Sequence, residues 1–184
     1  MKKIFTLLFF VIMNQITMNA QNDTLAMWSF PNNDLADTLP DVHNEANINS
    51  FIFTEGASAI AMKNGLSTKA AQATEWQEGA EAKSWQIKIS TLAYKTLDLS
   101  VKITAGETNP GPRDFKTQYR IGTAGEWTDI EGGELTVYND WTSGVLDQLP
   151  LPEACQNIEE LYIRFVMTSN TAQDGSEVLE TGTS

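Results

Sequence analysis

The sequence has only one cysteine, Cys155, and only one histidine, His43, among its 184 residues. A single cysteine cannot form a disulfide within the chain, so the fold must depend on its hydrophobic core. Cys155 follows an apolar-leaning segment, and we expect a small buried thiol there instead of a reactive one. A single histidine excludes a histidine-rich zinc site, and it would give a Ser-His-Asp hydrolase only a loop-borne base.

Basic residues are also scarce, because 12 Lys and Arg face 24 Asp and Glu, a formal charge of −12. Nucleic acid and anionic lipid surfaces attract basic proteins, so this charge excludes nucleic acid as a predicted partner. An acidic surface favours solubility and is compatible with calcium or with a neutral ligand such as a sugar.

The motifs of several enzyme classes are missing from the sequence. There is no Gly-x-Ser-x-Gly nucleophile turn, no phosphate-binding glycine loop and no Asp-x-Asp-x-Asp-Gly calcium loop. The acidic residues between 126 and 134 could be paired as in glycosidases, but solvated strand faces and turns account for them more simply. Arg113 beside Asp114 predicts a local ion pair. We therefore predict no catalytic residues, no metal site and no cofactor, with structural calcium from scattered loop oxygens left open.

Residues 1–20 differ in character from the rest of the chain. Lys2 and Lys3 precede an apolar run at 4–13, which is followed by a short polar segment that ends at Ala20. This is the layout of a secretory signal peptide, with cleavage predicted between Ala20 and Gln21. The run is shorter than the roughly 20 apolar residues that span a bilayer, so we expect no membrane association after cleavage. Removal of two lysines would change the formal charge to −14 and leave one domain, residues 21–184, in the periplasm, at the cell surface or outside the cell.

Long amphipathic periods are absent, and period-2 alternation of apolar and polar residues predicts strands instead. The clearest alternations lie at 84–90, 97–104, 115–121 and 161–167. The segment 110–130 is predicted to be a hairpin with a turn at 122–125, and 161–167 is apolar enough for the middle of a sheet. Weaker strands are predicted at 25–30, 51–54, 57–62 and 134–138, with strand or coil at 66–73, a long loop at 31–50 and a turn at Gly132–Gly133. Together these elements predict an all-β antiparallel sandwich of the jelly-roll type.

The five tryptophans carry the functional prediction from the residues alone. Trp28, Trp85 and Trp127 occupy strand-like positions, and we expect them in the core. Trp76 and Trp141 lie in predicted loops and are the candidate ligand-binding residues, because exposed aromatic faces stack on sugar rings. Burial of these two side chains is the alternative.

Several motifs resemble those of a jelly-roll module of secreted bacterial multidomain proteins. They are Gly-Pro-Arg-Asp-Phe-Lys-x-Gln-Tyr-Arg at 111–120, Trp-Thr-Asp-Ile at 127–130, Asn-Asp-Trp at 139–141, Leu-Pro-Leu-Pro at 149–152 and Leu-Tyr-Ile-Arg-Phe at 161–165. In those proteins the module lies beside lamin-tail-like, endonuclease/exonuclease/phosphatase or metallophosphatase/5′-nucleotidase-like domains. The resemblance implies a galactose-binding-like fold and a non-catalytic accessory role.

Modules of this family continue beyond a Gly-x-Ser element into a final strand, whereas this sequence stops at residues 182–184. The resemblance thus implies a domain that lacks its last strand. We expect a secreted accessory module that binds carbohydrate or a cell-surface glycan. Two alternatives stay open: the N-terminal fragment of a secreted nuclease or phosphatase whose catalytic domain is missing, and a purely structural spacer.

Overall fold

The computed structural model describes residues 23–31 and 38–184, and its regular elements are β-strands apart from two 3-10 turns, Glu45–Asn47 and Glu153–Cys155. The predicted signal peptide and the Ala20/Gln21 cleavage point lie outside these residues. The strands are β1 (Ala26–Met27), β2 (Val42–His43), β3 (Phe51–Glu55), β4 (Ala61–Asn64), β5 (Lys69–Gln72), β6 (Ser84–Ile89), β7 (Asp98–Lys102), β8 (Asp114–Ile121), β9 (Thr128–Thr136), β10 (Val145–Pro150) and β11 (Leu161–Met167).

The largest sheet has five antiparallel strands in the order β3-β6-β11-β8-β9. Strand β11 lies at its centre, as its apolar sequence predicted, and six of its seven residues are buried. Strands β6 and β8 flank it and carry the predicted alternation, with one set of side chains toward the core and the other set away from it. The central position of residues 161–167 is therefore confirmed.

A second layer covers one face of this sheet. Strands β7 and β10 pair with each other, and β4 and β5 form a hairpin with a turn at residues 65–68, closed by a hydrogen bond from the Gly65 N–H to the Thr68 carbonyl. The main core cluster joins the two layers: Trp85, Phe115 and Phe165 of the five-stranded sheet pack with residues such as Val101 and Leu146 of the β7–β10 pair. The predicted all-β antiparallel sandwich is confirmed.

A smaller core cluster extends from the first one along the same inner face, and it contains Ile87, Leu161, Ile163 and Cys155. The Cys155 side chain is fully buried, as predicted. Removal from water raises the pKa of this thiol to about 11, because the apolar surroundings disfavour the thiolate. The cysteine is thus a packing residue.

Strands β8 and β9 form the predicted hairpin, but the turn predicted at Gly132–Gly133 is wrong. Gly132 and Gly133 do not form a turn: they lie inside β9, where the register with β8 shifts between Lys116 and Gln118. Gly132 has φ of +76°, and a Cβ at Gly133 would lie 2.7 Å from the Cβ of Thr117. A bulge of this kind needs glycine for positive φ and close approach, so the same residues that suggested a turn instead keep one strand continuous.

The N-terminal region also departs from prediction. The strand expected at 25–30 shortens to two residues, and its partner β2 lies within the segment predicted to be a long loop. His43 is exposed on β2 and its Nδ1 lies 3.0 Å from the carbonyl of Asn44. Two-residue strands lack the alternation that makes longer strands visible in a sequence.

The last residues of the chain, 182–184, are buried against two loops. The backbone of Ser184 pairs in both directions with Ala73, and that of Thr183 bonds with Gly106 and Asn109. The Ser184 hydroxyl accepts a hydrogen bond of 3.3 Å from Trp85 Nε1 in the core.

Candidate functional site

The face of the five-stranded sheet turned away from the main core, which we call the outer face, carries mostly polar and aromatic side chains, some buried and the rest half-buried or exposed. Strand register aligns them in three rows across the sheet, since directly paired residues share a face. The rows are Phe51-Lys88-Tyr162-Arg120, Phe53-Gln86-Arg164-Gln118-Asp129 and Glu55-Ser84-Val166-Lys116-Glu134.

Trp127 lies at the β9 side of the outer face and contacts two arginines. Its ring centroid is 4.5 Å from the guanidinium carbon of Arg120 and 4.2 Å from that of Arg164. Arg120 also lies 4.8 Å from the ring of Tyr162. These distances define cation–π contacts, which fix the planes of both guanidinium groups. Two cations and two aromatic rings therefore form one rigid cluster.

The β8–β9 turn positions Trp127 in this cluster. Gly122 adopts φ of +64°, and its N–H donates to the carbonyl of Glu160 at 2.8 Å. A Cβ at Gly125 would lie 2.4 Å from the carbonyl oxygen of Ile121, so no other residue fits the turn without a shift. The two glycines return the chain sharply enough to bring Trp127 back over Arg120, seven residues earlier.

Two glutamine amides form the floor of the outer face. Gln86 is 1% exposed and Gln118 is 7% exposed. The Gln118 carbonyl oxygen accepts a hydrogen bond of 2.7 Å from Arg164 Nε, and its amide nitrogen donates to Asp129. Gln86 donates to Glu55 and, at 3.0 Å, to the hydroxyl of Ser84. The Gln118 amide is thus held through its oxygen and its nitrogen, and the Gln86 amide through its nitrogen.

Three carboxylates at the outer face contact its lysines. Glu160 lies 3.0 Å from Lys88 Nζ and accepts a hydrogen bond of 2.6 Å from the Tyr162 hydroxyl, and these contacts lower its pKa. Glu81 lies 3.0 Å from Lys116 Nζ and raises the pKa of that lysine. Asp129 is 3.7 Å from the same ammonium. A general acid needs a raised carboxyl pKa. The lowered pKa of Glu160 is opposite to that requirement.

The opposite edge of the outer face carries a second aromatic pair. Phe51 and Phe53 of β3 are half-buried, with ring centroids 5.3 Å apart. Lys88 Nζ lies 5.9 Å from the ring of Phe51 and 5.9 Å from that of Tyr162. From β3 to β9 the face crosses four inter-strand spacings, roughly 19 Å. Half-buried aromatic side chains thus lie at both edges of a face long enough for several sugar rings, whereas Tyr162 between them is buried.

The two tryptophans predicted to bind ligand lie elsewhere. Trp76 is in a loop, as expected, but it is 0% exposed and its Nε1 donates to the carbonyl of Ala73 at 3.0 Å. Its ring packs against Trp85 and Phe115 in the main core, so it offers no face to a ligand. Trp141 is half-buried in a loop and is not in the outer face. Its neighbour Asp140 accepts two backbone hydrogen bonds, which lower the Asp140 pKa to about 2.

Trp127 is the residue that the sequence argument assigned to the core and that the structure places at the surface cluster. Its position in a strand-like segment suggested burial, whereas it lies just before β9 and packs on arginines. The alternation of Lys116, Gln118 and Arg120 in β8 does mark the outer face. The missing signal was the contact of both Arg120 and Arg164 with Trp127, which depends on the pairing of β8 with β11.

Other candidate features are local. The predicted ion pair between Arg113 and Asp114 is confirmed at 3.1 Å, and Ser169 donates to the same carboxylate.

No group of three or more potential metal ligands occurs in the described part of the chain. Two open depressions of about 440 Å³ exist, one beside Pro150 and one beside Glu180. Within residues 23–31 and 38–184, no helix is long and apolar enough to cross a bilayer.

No protein-family model matches the chain, and neither a curated protein nor a solved structure matches it. The resemblance to secreted jelly-roll modules therefore stays a prediction.

Proposed function

We infer that the protein is an exported, non-catalytic module that binds a polysaccharide or cell-surface glycan on the outer face of its five-stranded sheet. The observation that carries this proposal is the cluster of Trp127, Arg120 and Arg164 above the buried amides of Gln86 and Gln118. Export is proposed from the signal-peptide layout of residues 1–20.

The chemistry of this face suits sugars. The apolar C–H face of a pyranose ring packs on an aromatic ring, and its hydroxyls bond with guanidinium, amide and carboxylate groups. Here those groups are already held by stacking and by side-chain hydrogen bonds, so a ligand would order few of them. Preorganisation of this kind raises affinity without any covalent chemistry.

A non-catalytic role is supported by the electrostatics of the same face. The hydrogen bond from Tyr162 and the contact with Lys88 lower the pKa of Glu160, which disfavours a general acid at that position. The thiol of Cys155 is buried, with a raised pKa, which disfavours a nucleophile. Neither the lowered pKa of Glu160 nor the buried thiol of Cys155 favours hydrolysis on this surface.

Isothermal titration calorimetry with a panel of plant, algal and bacterial polysaccharides tests the proposal. We expect saturable binding to at least one glycan, weakened about tenfold or more by Trp127→Leu, since interface aromatics commonly contribute more than 1 kcal/mol. Trp141→Ala is the matched control and should leave the affinity within about twofold. Binding that is lost in Trp141→Ala and kept in Trp127→Leu would move the site to the 139–143 loop. Folded protein that binds no member of the panel would favour the structural spacer.

A further inference from the structure

We propose that the guanidinium groups of Arg120 and Arg164 form an anion site for the carboxylate or sulfate groups of an acidic polysaccharide. This inference rests on the glycan-binding function proposed above, and it narrows the ligand from glycans in general to charged ones.

The first support is the hydrogen bonding of the two arginines. The Arg164 side chain uses only its Nε, which donates to Gln118, and the Arg120 side chain makes no hydrogen bond to any described residue. Arg120 Nε is the one nitrogen of the two side chains that is buried without a partner. The Nη atoms are therefore open to solvent and have no acceptor among the described residues. They are the donors that bind carboxylate and sulfate in a fork geometry.

The second support is the contrast with the other cations of the outer face. Lys88 is paired with Glu160 and Lys116 with Glu81, both at 3.0 Å. Neither arginine has a carboxylate of the described residues within ion-pair distance, although the sequence has twice as many acidic as basic residues. On this face, the two lysines therefore have a carboxylate within ion-pair distance, and the two arginines have none among the described residues.

The third support is the proximity of the two positive charges. Both guanidinium groups contact the same ring, that of Trp127, which holds them near each other despite their repulsion. Burial lowers the pKa of Arg164 and the charge of Arg120 also lowers it, while the carboxylates of Glu55, Glu81 and Asp129 act in the opposite direction. An anion between them would compensate both charges, and because stacking already fixes the guanidinium planes, little side-chain entropy remains to be lost.

The overall charge of the chain favours a sparsely charged polysaccharide over densely charged nucleic acid as the anionic ligand. A formal charge of −12 repels densely charged nucleic acid at long range. A glycan that carries spaced acidic groups also offers neutral rings for Trp127 and the phenylalanines of β3, which are half-buried. The local pair acts at contact distance, whereas acidic residues outside this face are screened beyond about 10 Å at moderate salt. Of the acidic residues on the face, Glu160 and Glu81 are paired with Lys88 and Lys116.

The experiment compares matched acidic and neutral polymers on the full chain by calorimetry. Polygalacturonate and its methyl ester test for carboxylate, dextran sulfate and dextran test for sulfate, and polyglutamate tests for charge without sugar. Arg120→Gln removes one guanidinium. Arg164→Lys keeps the charge but not the fork, and it avoids an empty site at a half-buried position. Lys102→Gln, an exposed charge on β7 in the other layer, is the matched control.

We expect one acidic polysaccharide to bind at least tenfold more tightly than its neutral counterpart. Arg120→Gln and Arg164→Lys should each weaken that binding about 10- to 100-fold, the usual effect of losing a charge-assisted hydrogen bond. Lys102→Gln should change it less than twofold, and thermal melts should show that every variant is folded.

Three results would overturn the inference. The neutral polymers binding as tightly as the acidic ones, with dependence on Trp127, would refute the anion site and leave the proposed glycan function standing. Equal binding of polyglutamate, or an equal loss in Lys102→Gln, would show that net charge alone is recognised. Absence of binding to every polymer by folded protein would refute both proposals.

Discussion

Replacing Trp76 by alanine is predicted to cost about 3–5 kcal/mol of unfolding free energy, the range for removing a buried aromatic side chain. The side chain is fully buried in the main core and packs on two aromatic rings, with centroids 5.8 Å and 6.0 Å away. Its indole N–H also satisfies the carbonyl of Ala73, which would be left without that partner. Typical domains have only about 5–15 kcal/mol in total, so the variant should melt about 10 °C lower or fail to fold.

Urea unfolding followed by far-ultraviolet circular dichroism measures this cost, and Trp76→Phe provides a milder variant that should fall between the wild type and Trp76→Ala. Trp127→Ala is the matched control. It loses two cation–π contacts of about 0.5–1 kcal/mol each, so we expect a cost of about 1–2 kcal/mol. A cost below about 1 kcal/mol for Trp76→Ala, or equal costs for the two variants, would refute the assignment of Trp76 to the core and of Trp127 to the surface.

The remaining predictions concern single positions. Gly133→Ala should lower the free energy of unfolding in urea by about 1–3 kcal/mol, because the new Cβ would overlap Thr117. Gly132→Ala should lower it by about 1 kcal/mol, because alanine disfavours the positive φ at this position. Equal costs for the two variants would contradict the bulge. The Cys155 thiol should resist iodoacetamide at pH 8 in the native protein and react after denaturation, and fast native labelling would contradict its burial. Asp140 should titrate near pH 2 when its carboxyl signal is followed by NMR. Because its pKa is lower in the folded protein, its contribution to stability is present above about pH 4 and is lost as the pH falls through about 2. A midpoint at the ordinary value for aspartate would contradict its two backbone hydrogen bonds.

The strands that the sequence predicted well are those with a full period-2 pattern. Residues 84–90, 97–104 and 161–167 each alternate over six or more positions, and each corresponds to an observed strand. Alternation reports burial on one face of a strand, which is a local property and visible in one segment. The central place of β11 followed from its apolar content for the same reason.

The errors share a different physical origin. Gly132–Gly133 has the composition of a turn, and only the pairing with Thr117 across the hairpin shows that it is a bulge. Trp76 has polar neighbours in sequence, yet its loop folds the indole into the core. Whether a loop side chain is buried depends on long-range packing, which composition does not report.

The candidate site was missed because it is assembled from strands that are distant in sequence. Arg120 and Arg164 are separated by 44 positions, and they become neighbours only because β11 pairs with β8. Their shared contact with Trp127 depends further on the glycine turn at 122–125. Alternation predicts which side chains of one strand share a face, but it does not predict which strands lie side by side.

The most direct test of the glycan-binding outer face is chemical-shift mapping by two-dimensional NMR of the isotope-labelled protein during titration with the glycan that binds most tightly. The account predicts that the shifted signals cluster on the outer face, with the indole N–H of Trp127 and the side-chain signals of Arg120 and Arg164 among the largest changes. The indole N–H of Trp76 should stay unchanged in the core. Shifts confined to the 139–143 loop around Trp141, or to the opposite layer formed by β7 and β10, would contradict the account.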